Sequence, residues 1–404
     1  MSSSAAPPRP VPTLAIVLLS VAAFAAAANM RVVDPLLVQL SASFGVTVGQ
    51  ASIVATAFLF ANGVFVLLYG PVGDRHGKMP VVALACLGAA LCCILSALSE
   101  TLGMLTLARF LTGVASAAII PLAMAWVGDN VGYERRQATL ARFLAGQTLG
   151  LMAGTALGGA LGDWLGWRAV FWLLAVIYLA AGGALFAVMR SRTDLARPVA
   201  RAAGSMAAQM ASVLRRPWAR TVILVVLLEG GIFWGTFTFV GADLHQRFGL
   251  SIATVGLAVA AFGGGGFAYV TVAPHLVRLL GERGLCLWGG LGLGIAFAAM
   301  AFAPSAGVAF AAIALSGVSF YMLHNTLQTH GTQMAPEMRG SALALFSLCL
   351  FTGQAIGVPL AAPVVDRWGA PPIFMAAAIT LPLLAVWFAW AIGRRAQLAG
   401  DTRN

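Results

Sequence analysis

The sequence predicts an all-α membrane protein of twelve transmembrane helices arranged as two pseudo-symmetric six-helix bundles. Three observations predict it. Across 404 residues 60% are hydrophobic and 9% charged, whereas an ordinary soluble domain is about one quarter charged. Apolar runs of bilayer-spanning length recur along the chain; about 20 residues suffice for one crossing. The two halves also align under a shift of 203 residues. A mean hydropathy of +0.91 leaves too little polar surface for a soluble fold.

The runs fall at roughly 13–41, 51–72, 79–99, 101–127, 139–162, 167–190, 218–242, 251–274, 284–303, 305–328, 341–364 and 369–392. An even number of crossings puts both termini on one side. Basic residues then name that side. One set of alternate loops holds Arg9, Arg75, Lys78, Arg135, Arg136, Arg142, Arg278, Arg283, Arg339, the Arg-rich stretch from Arg190 to Arg220, and Arg394, Arg395 and Arg403. The other set holds Arg168, Arg247 and Arg367. The first set is expected to be cytoplasmic, with the chain in a bacterial inner membrane. The first run is too long, and matches a cleavage signal too poorly, to be a removed targeting peptide.

Under the 203-residue shift, Arg75, Glu134, Arg136, Leu140 and Ala141 fall on Arg278, Glu337, Arg339, Leu343 and Ala344. Gly150, Gly154, Asp163, Gly166 and Phe171 fall on Gly353, Gly357, Asp366, Gly369 and Phe374. The offset covers six runs, so both halves cross the membrane in the same sense. Expected boundaries are 1–190 for the first bundle, 191–217 for a basic linker and 218–404 for the second bundle with a short tail. Parallel halves of this kind are a transporter architecture with a central site between them.

After the second run the chain reads GPVGDRHGKMP, with Gly70, Asp74, Arg75, Gly77 and Lys78 in order. Gly77 permits a tight turn between two helices. Asp74, at a helix end, is placed to meet another helix's N-terminal dipole. This order resembles the loop signature of the major facilitator superfamily. In relatives the residue matching Lys78 pairs with an acid at the end of the fourth span, here Asp129, and the alternative is a set of solvated turn charges. LARFLTG puts Arg109 where the drug:proton antiporter branch has an Arg. GLMAGTALGG resembles that branch's fifth-span signature through Gly150, Gly154, Gly158 and Gly159, with Thr155 where the signature usually has Pro. DPLL puts Asp34 at the branch's frequent first-span Asp. The resemblance covers nearly the whole chain and implies a secondary transporter.

Arg31, Asp34 and Arg109 lie inside spans, where an unpaired ion is costly. At 1.5 Å per residue Asp34 lies about 10 Å, and Arg109 about 12 Å, from the same face. A carboxylate that faces a guanidinium away from water changes protonation when its neighbours move. Asp34 is therefore the expected proton-coupling acid, with Arg109 as its partner and Arg31 one turn away; the alternative is a static neutralising cluster. Glu229, about 14 Å into the seventh span and followed by Gly230 and Gly231, suggests a broken helix lining a cavity. It would bind a positive substrate group or take a second proton, the alternative being a permanently protonated acid. Phe233, Trp234 and Phe237 (with Phe239 nearby) are stacking candidates or packing residues. His324, Asn325 and Gln328 are candidates for cavity lining or interhelical hydrogen bonds, and His330 for the cytoplasmic surface. Gly263–Gly266 is either a close helix contact or a hinge.

Other functions lack their residues. The five Cys have no metal-ligand spacing and no disulfide framework. The five His are scattered, Asp34 and Glu229 fall in different halves, and no loop is long enough for an output domain. No metal, cofactor or catalytic group is expected, and the basic loops do not form a nucleic-acid face. The expected partners are a small-molecule substrate, protons and the lipid bilayer, with the chain acting as a monomer. The leading expectation is proton-coupled efflux of small amphipathic compounds or drugs by alternating access. The alternative is an uptake or facilitated-diffusion carrier for a metabolite, and a distant one is a membrane sensor or enzyme.

Overall fold

Within lipid every backbone N–H and C=O must be satisfied inside the segment, which leaves the helix as the way for such runs to cross. The computed structural model describes residues 13–196 and 206–401. Arg9, the middle of the expected linker (197–205) and Arg403 lie outside the described residues, as do the side chains of Glu134, Arg135 and Arg136. Ten helices among the described residues are long and apolar enough to cross a membrane. One of them, Ile252–Ala301, is two spans meeting at Gly281 (φ 61°). The glycine-rich helix Tyr133–Leu165 stands beside these ten. Together they give the twelve expected crossings.

In chain order the spans are Thr13–Phe44, Val48–His76, Lys78–Ala97, Leu102–Asn130, Tyr133–Leu165, Trp167–Ser191, Pro217–Phe248, the two parts of Ile252–Ala301, Ala306–Gln333, Pro336–Trp368 and Pro371–Arg395. Gly77 (φ 89°) turns span two into span three as its sequence context requires. Large apolar side chains face outward, including Leu279 at 70%, Phe302 at 72% and Leu360 at 70% exposure. That surface suits acyl chains and would be a liability in water.

The repeat is visible in the packing. Gly150 lies against the Phe24 backbone and Gly154 against Ala28, bringing span five onto span one. Gly353 lies against the Leu227 backbone and Gly357 against Gly231, bringing span eleven onto span seven. Each second contact is the first one moved by 203 residues. Small residues let backbones approach closely, and close packing drives helix association in lipid. The fifth-span glycines are therefore packing positions, with Gly158 against Val32 and Gly159 against Ile252 and Gly256 of span eight. Gly263 meets Met152 of span five, while Gly265 and Gly266 meet Ala314 and Tyr321 of span ten. The four-glycine run is thus a helix contact, and the helix continues through it.

Spans one and seven do not run straight. The helix Thr13–Arg31 stops, a short 3-10 turn covers Asp34–Leu36, and a new helix runs Leu37–Phe44. Pro35 lacks the N–H that would carry the helix through. In span seven a π-helix, Gly230–Trp234, follows Pro217–Glu229, so the expected break beside Glu229 is a widened turn rather than an interruption.

The two halves meet on the face opposite the basic loops. Asp366, ending span eleven, accepts from the Gly49 N–H at 2.8 Å and the Thr47 hydroxyl at 2.7 Å. Toward the basic face the start of span eleven is bare: Arg339 and Gly340 are exposed, and a side chain at Gly340 would meet nothing. The end of the linker docks beside it, through Gln209 accepting from Ser341 at 2.6 Å and an Arg216–Glu337 ion pair.

Candidate functional site

Arg31 sits where the halves touch. It is 3% exposed, and its Nη2 donates to Gln354 Oε1 of span eleven at 2.6 Å. The guanidinium lies 3.5 Å from the ring centre of Trp234 in span seven. Trp234 is the position 203 residues after Arg31, so this contact marks the pseudo-symmetry axis. A desolvated cation over an indole is worth about 2 kcal/mol. The remaining side faces Asp34, with Nη1 to Oδ2 at 3.6 Å. Asp34 is 1% exposed and neither carboxylate oxygen has a hydrogen bond among the described residues. A narrow pocket at this level is lined by Arg31, Asp34, Thr155, Trp234, Phe237 and Phe262, among others from spans one, five, seven and eight.

The expected Arg109–Asp34 pair is not what forms. Arg109, fully buried, donates to the Asn29 side-chain oxygen and, at 2.9 Å, to the Asn29 carbonyl. Its guanidinium also lies 4.4 Å from the Phe58 ring centre. Asn29 in turn donates to Tyr178 at 3.4 Å and to the Cys93 sulfur at 3.6 Å. The difference lies in direction around the helix. Span one turns at Val32–Val33, so Asn29 points into the first bundle while Asp34 points toward the second.

Glu229 is not on a cavity wall. It is wholly buried, and Oε2 lies 2.7 Å from His324 Nδ1 in span ten. The expectation of an acid open to a charged substrate gives way to an enclosed acid–imidazole pair. Phe233 likewise packs within the second bundle, with Phe237, Phe262, Phe297 and Phe320 around it. Trp234 and Phe237 reach the pocket. Asn325 is half-buried beside Tyr269, and Gln328 is exposed one turn further toward the basic face. His330 is buried, not at the surface, between Trp218 and Phe388, with Nε2 3.3 Å from Glu282.

The loop signature holds its geometry within the first half. Lys78 Nζ lies 2.5 Å from Asp129 and 3.0 Å from Asp74, and is 6% exposed. The solvated-turn alternative for Lys78 is thereby corrected. Asp74 meets Lys78 rather than another helix's N-terminus. Thr155, in place of the signature's Pro, donates to the Met152 carbonyl at 3.0 Å and span five stays continuous.

Asn29, Gln354 and Thr155 were not singled out as site residues by sequence reasoning. Asn29 and Gln354 were nevertheless detectable as polar residues buried in apolar runs, which need partners.

The profile of the Major Facilitator Superfamily matches residues 19–358. The chain belongs to that superfamily. Among similar sequences is a chloramphenicol resistance protein of Streptomyces lividans, 28% identical over 359 residues, spanning 88% of this chain and 90% of that protein. Two solved structures share the superfamily fold. A bacterial homologue of the human lysosomal transporter Spinster, inward-facing and unoccupied, has a TM-score of 0.77 at 14% identity, covering 94% of this chain and 96% of the other. A mutant of the nucleoside transporter NupG has a TM-score of 0.79 at 13% identity, covering 93% and 99%. As a superfamily member the chain is a multi-pass transporter and not an enzyme.

Proposed function

We propose that this transporter is a proton-coupled exporter of small amphipathic compounds, working by alternating access around the Arg31–Asp34 pocket. One observation carries the reading: an ionisable pair lies at membrane depth on a pocket that both halves line. Ionised Asp34 shares Arg31 with Gln354 and Trp234. Protonated Asp34 leaves Arg31 to those two partners, both on the second half, and so changes how the halves are held together. A substrate entering the same pocket disturbs the same pair. Proton and substrate then address one site in alternation, which is the requirement of antiport.

The aromatic wall of Trp234, Phe237 and Phe262 suits a lipophilic body, and Arg31 and Asp34 suit a polar head. Similarity to a chloramphenicol resistance protein supports efflux and suggests chloramphenicol as the first probe. In this reading the side that carries the basic loops is cytoplasmic, both termini lie there, and the membrane is a bacterial inner membrane. In this reading the halves are those expected from the sequence, 1–190 and 218–404 with the linker 191–217 between them, and a monomer carries a complete pocket.

The test is substrate-triggered loss of a pH gradient in everted vesicles. Chloramphenicol is expected to dissipate the gradient with the wild type and leave it intact with Asp34→Asn. Wild-type proton flux in Asp34→Asn overturns the coupling role. A second reading, uptake of a metabolite, is favoured by Thr155, which keeps span five straight where the efflux signature has Pro. Accumulation in right-side-out vesicles, with no flux in everted ones, selects it.

A further inference from the structure

We propose that Glu229 and His324 form a second proton-binding site, placed in the second half as Asp34 is in the first. This deepens the proton-coupled reading and rests on it for its place in the transport cycle.

The site is built. Glu229 has no solvent exposure, its Oε2 is 2.7 Å from His324 Nδ1, and Oε1 has no hydrogen-bond partner among the described residues. Few other ionisable groups face it. The Cys286 thiol of span nine lies near Glu229. Span eleven presents Phe346 to the imidazole at 5.8 Å, with Cys349 its single titratable residue between Ser341 and Val365. Span twelve has no titratable side chain between Pro371 and Gly393. An ionised Glu229 beside a neutral imidazole is thus a buried charge lacking a fixed counter-ion, a costly arrangement. One proton relieves it, held on the carboxyl at Oε1, which has no other partner among the described residues, while Oε2 faces the imidazole.

Access and consequence are both visible. His324 keeps 12% side-chain exposure, and Gln328, one turn toward the basic face, is exposed. The imidazole therefore lies between water and the enclosed acid. A proton from water reaches the ring, and the Nδ1–H donates to Oε2. On the other side, Glu229 directly precedes the π-helix Gly230–Trp234, whose last residue stacks on Arg31. Single-turn π segments are common at functional sites. The occupancy of this dyad is thus one short turn from the contact that joins the halves. With Arg31 and Arg109 charged, the mid-membrane ionic groups balance when both acids are ionised, and each acid can take a proton.

Infrared difference spectroscopy of the purified full-length chain, between acidic and alkaline buffer, tests the proposal. The wild type is expected to show two buried protonated-carboxyl bands. Glu229→Gln is expected to lose one, and Asp34→Asn the other. His324→Gln keeps a donor for Oε2 but cannot titrate, and is expected to retain the Glu229 band with a displaced pH midpoint. Should Glu229→Gln fail to elute as a folded monodisperse species, His324→Gln decides the question alone. A Glu229→Gln spectrum identical to wild type, or a His324→Gln midpoint identical to wild type, overturns the second site. Loss of a band in Glu229→Gln but not in Asp34→Asn would instead sustain the second site and remove Asp34 from the coupling role.

Discussion

The contact that closes the face opposite the basic loops is the place to test alternation quantitatively, through Asp366→Asn. Asp366 accepts two hydrogen bonds across the halves, from the Gly49 N–H and the Thr47 hydroxyl. Both donors belong to the first turn of span two, where Thr47 and Gln50 already form a capping box. A carboxylate there also meets the positive end of the helix dipole. Hydrogen bonds to charged groups contribute about 1.5–3 kcal/mol each. Asp366 is exposed, so solvent discounts that figure. Asn keeps one acceptor and removes the charge, leaving an expected loss of about 1–2 kcal/mol, or roughly 5- to 30-fold in the open–closed ratio. The repeat mate of Asp366 is Asp163, which makes no side-chain hydrogen bond to the second half among the described residues. The Asp163→Asn variant is therefore the matched control. Hydrogen–deuterium exchange of peptides covering 45–52 reads the opening directly. Faster exchange by that factor in Asp366→Asn, and not in Asp163→Asn, is expected. Exchange within about twofold of wild type at Gly49 would refute the idea that this contact holds the face shut.

Two further predictions concern stability. Gly154→Leu would drive a side chain into the Ala28 backbone. Overpacking of that kind costs about 1–3 kcal/mol, and a lowered thermal midpoint in detergent is expected, whereas Gly264→Leu, which points into open space, should leave it unchanged. Asn29→Leu removes both side-chain partners that Asn29 offers to Arg109 and Tyr178. A loss of about 1.5–3 kcal/mol follows from orphaning a buried charged donor; Asn29→Asp should recover most of it, and equal thermal midpoints for Asn29→Leu and wild type would contradict this account of Arg109.

Much of the fold was legible because its governing variables run along the chain. Hydropathy sums over a window, so the number of crossings and their order can be counted without knowing any neighbour. The 203-residue repeat is likewise a property of order, and the packing reproduces it in Gly150 on Phe24 and Gly353 on Leu227. The Lys78–Asp129 pair was available because the motif resembled a known one. Depth was also available, since each residue advances a helix by about 1.5 Å.

What sequence alone determined, then, was that ionisable residues lie inside apolar runs, and where along each run they fall. Which ion meets which depended on direction around the helix, and direction is lost wherever a helix breaks. The 3-10 turn at Asp34–Leu36 and the π-turn at Gly230–Trp234 rotate everything beyond them. Asp34, past the end of the helix that holds Asn29 and Arg31, meets Arg31 rather than Arg109, while Arg109 meets Asn29 and Glu229 meets His324 inside its own bundle. A low-dielectric interior makes each buried charge depend on its nearest partner, and only the tertiary structure names that partner.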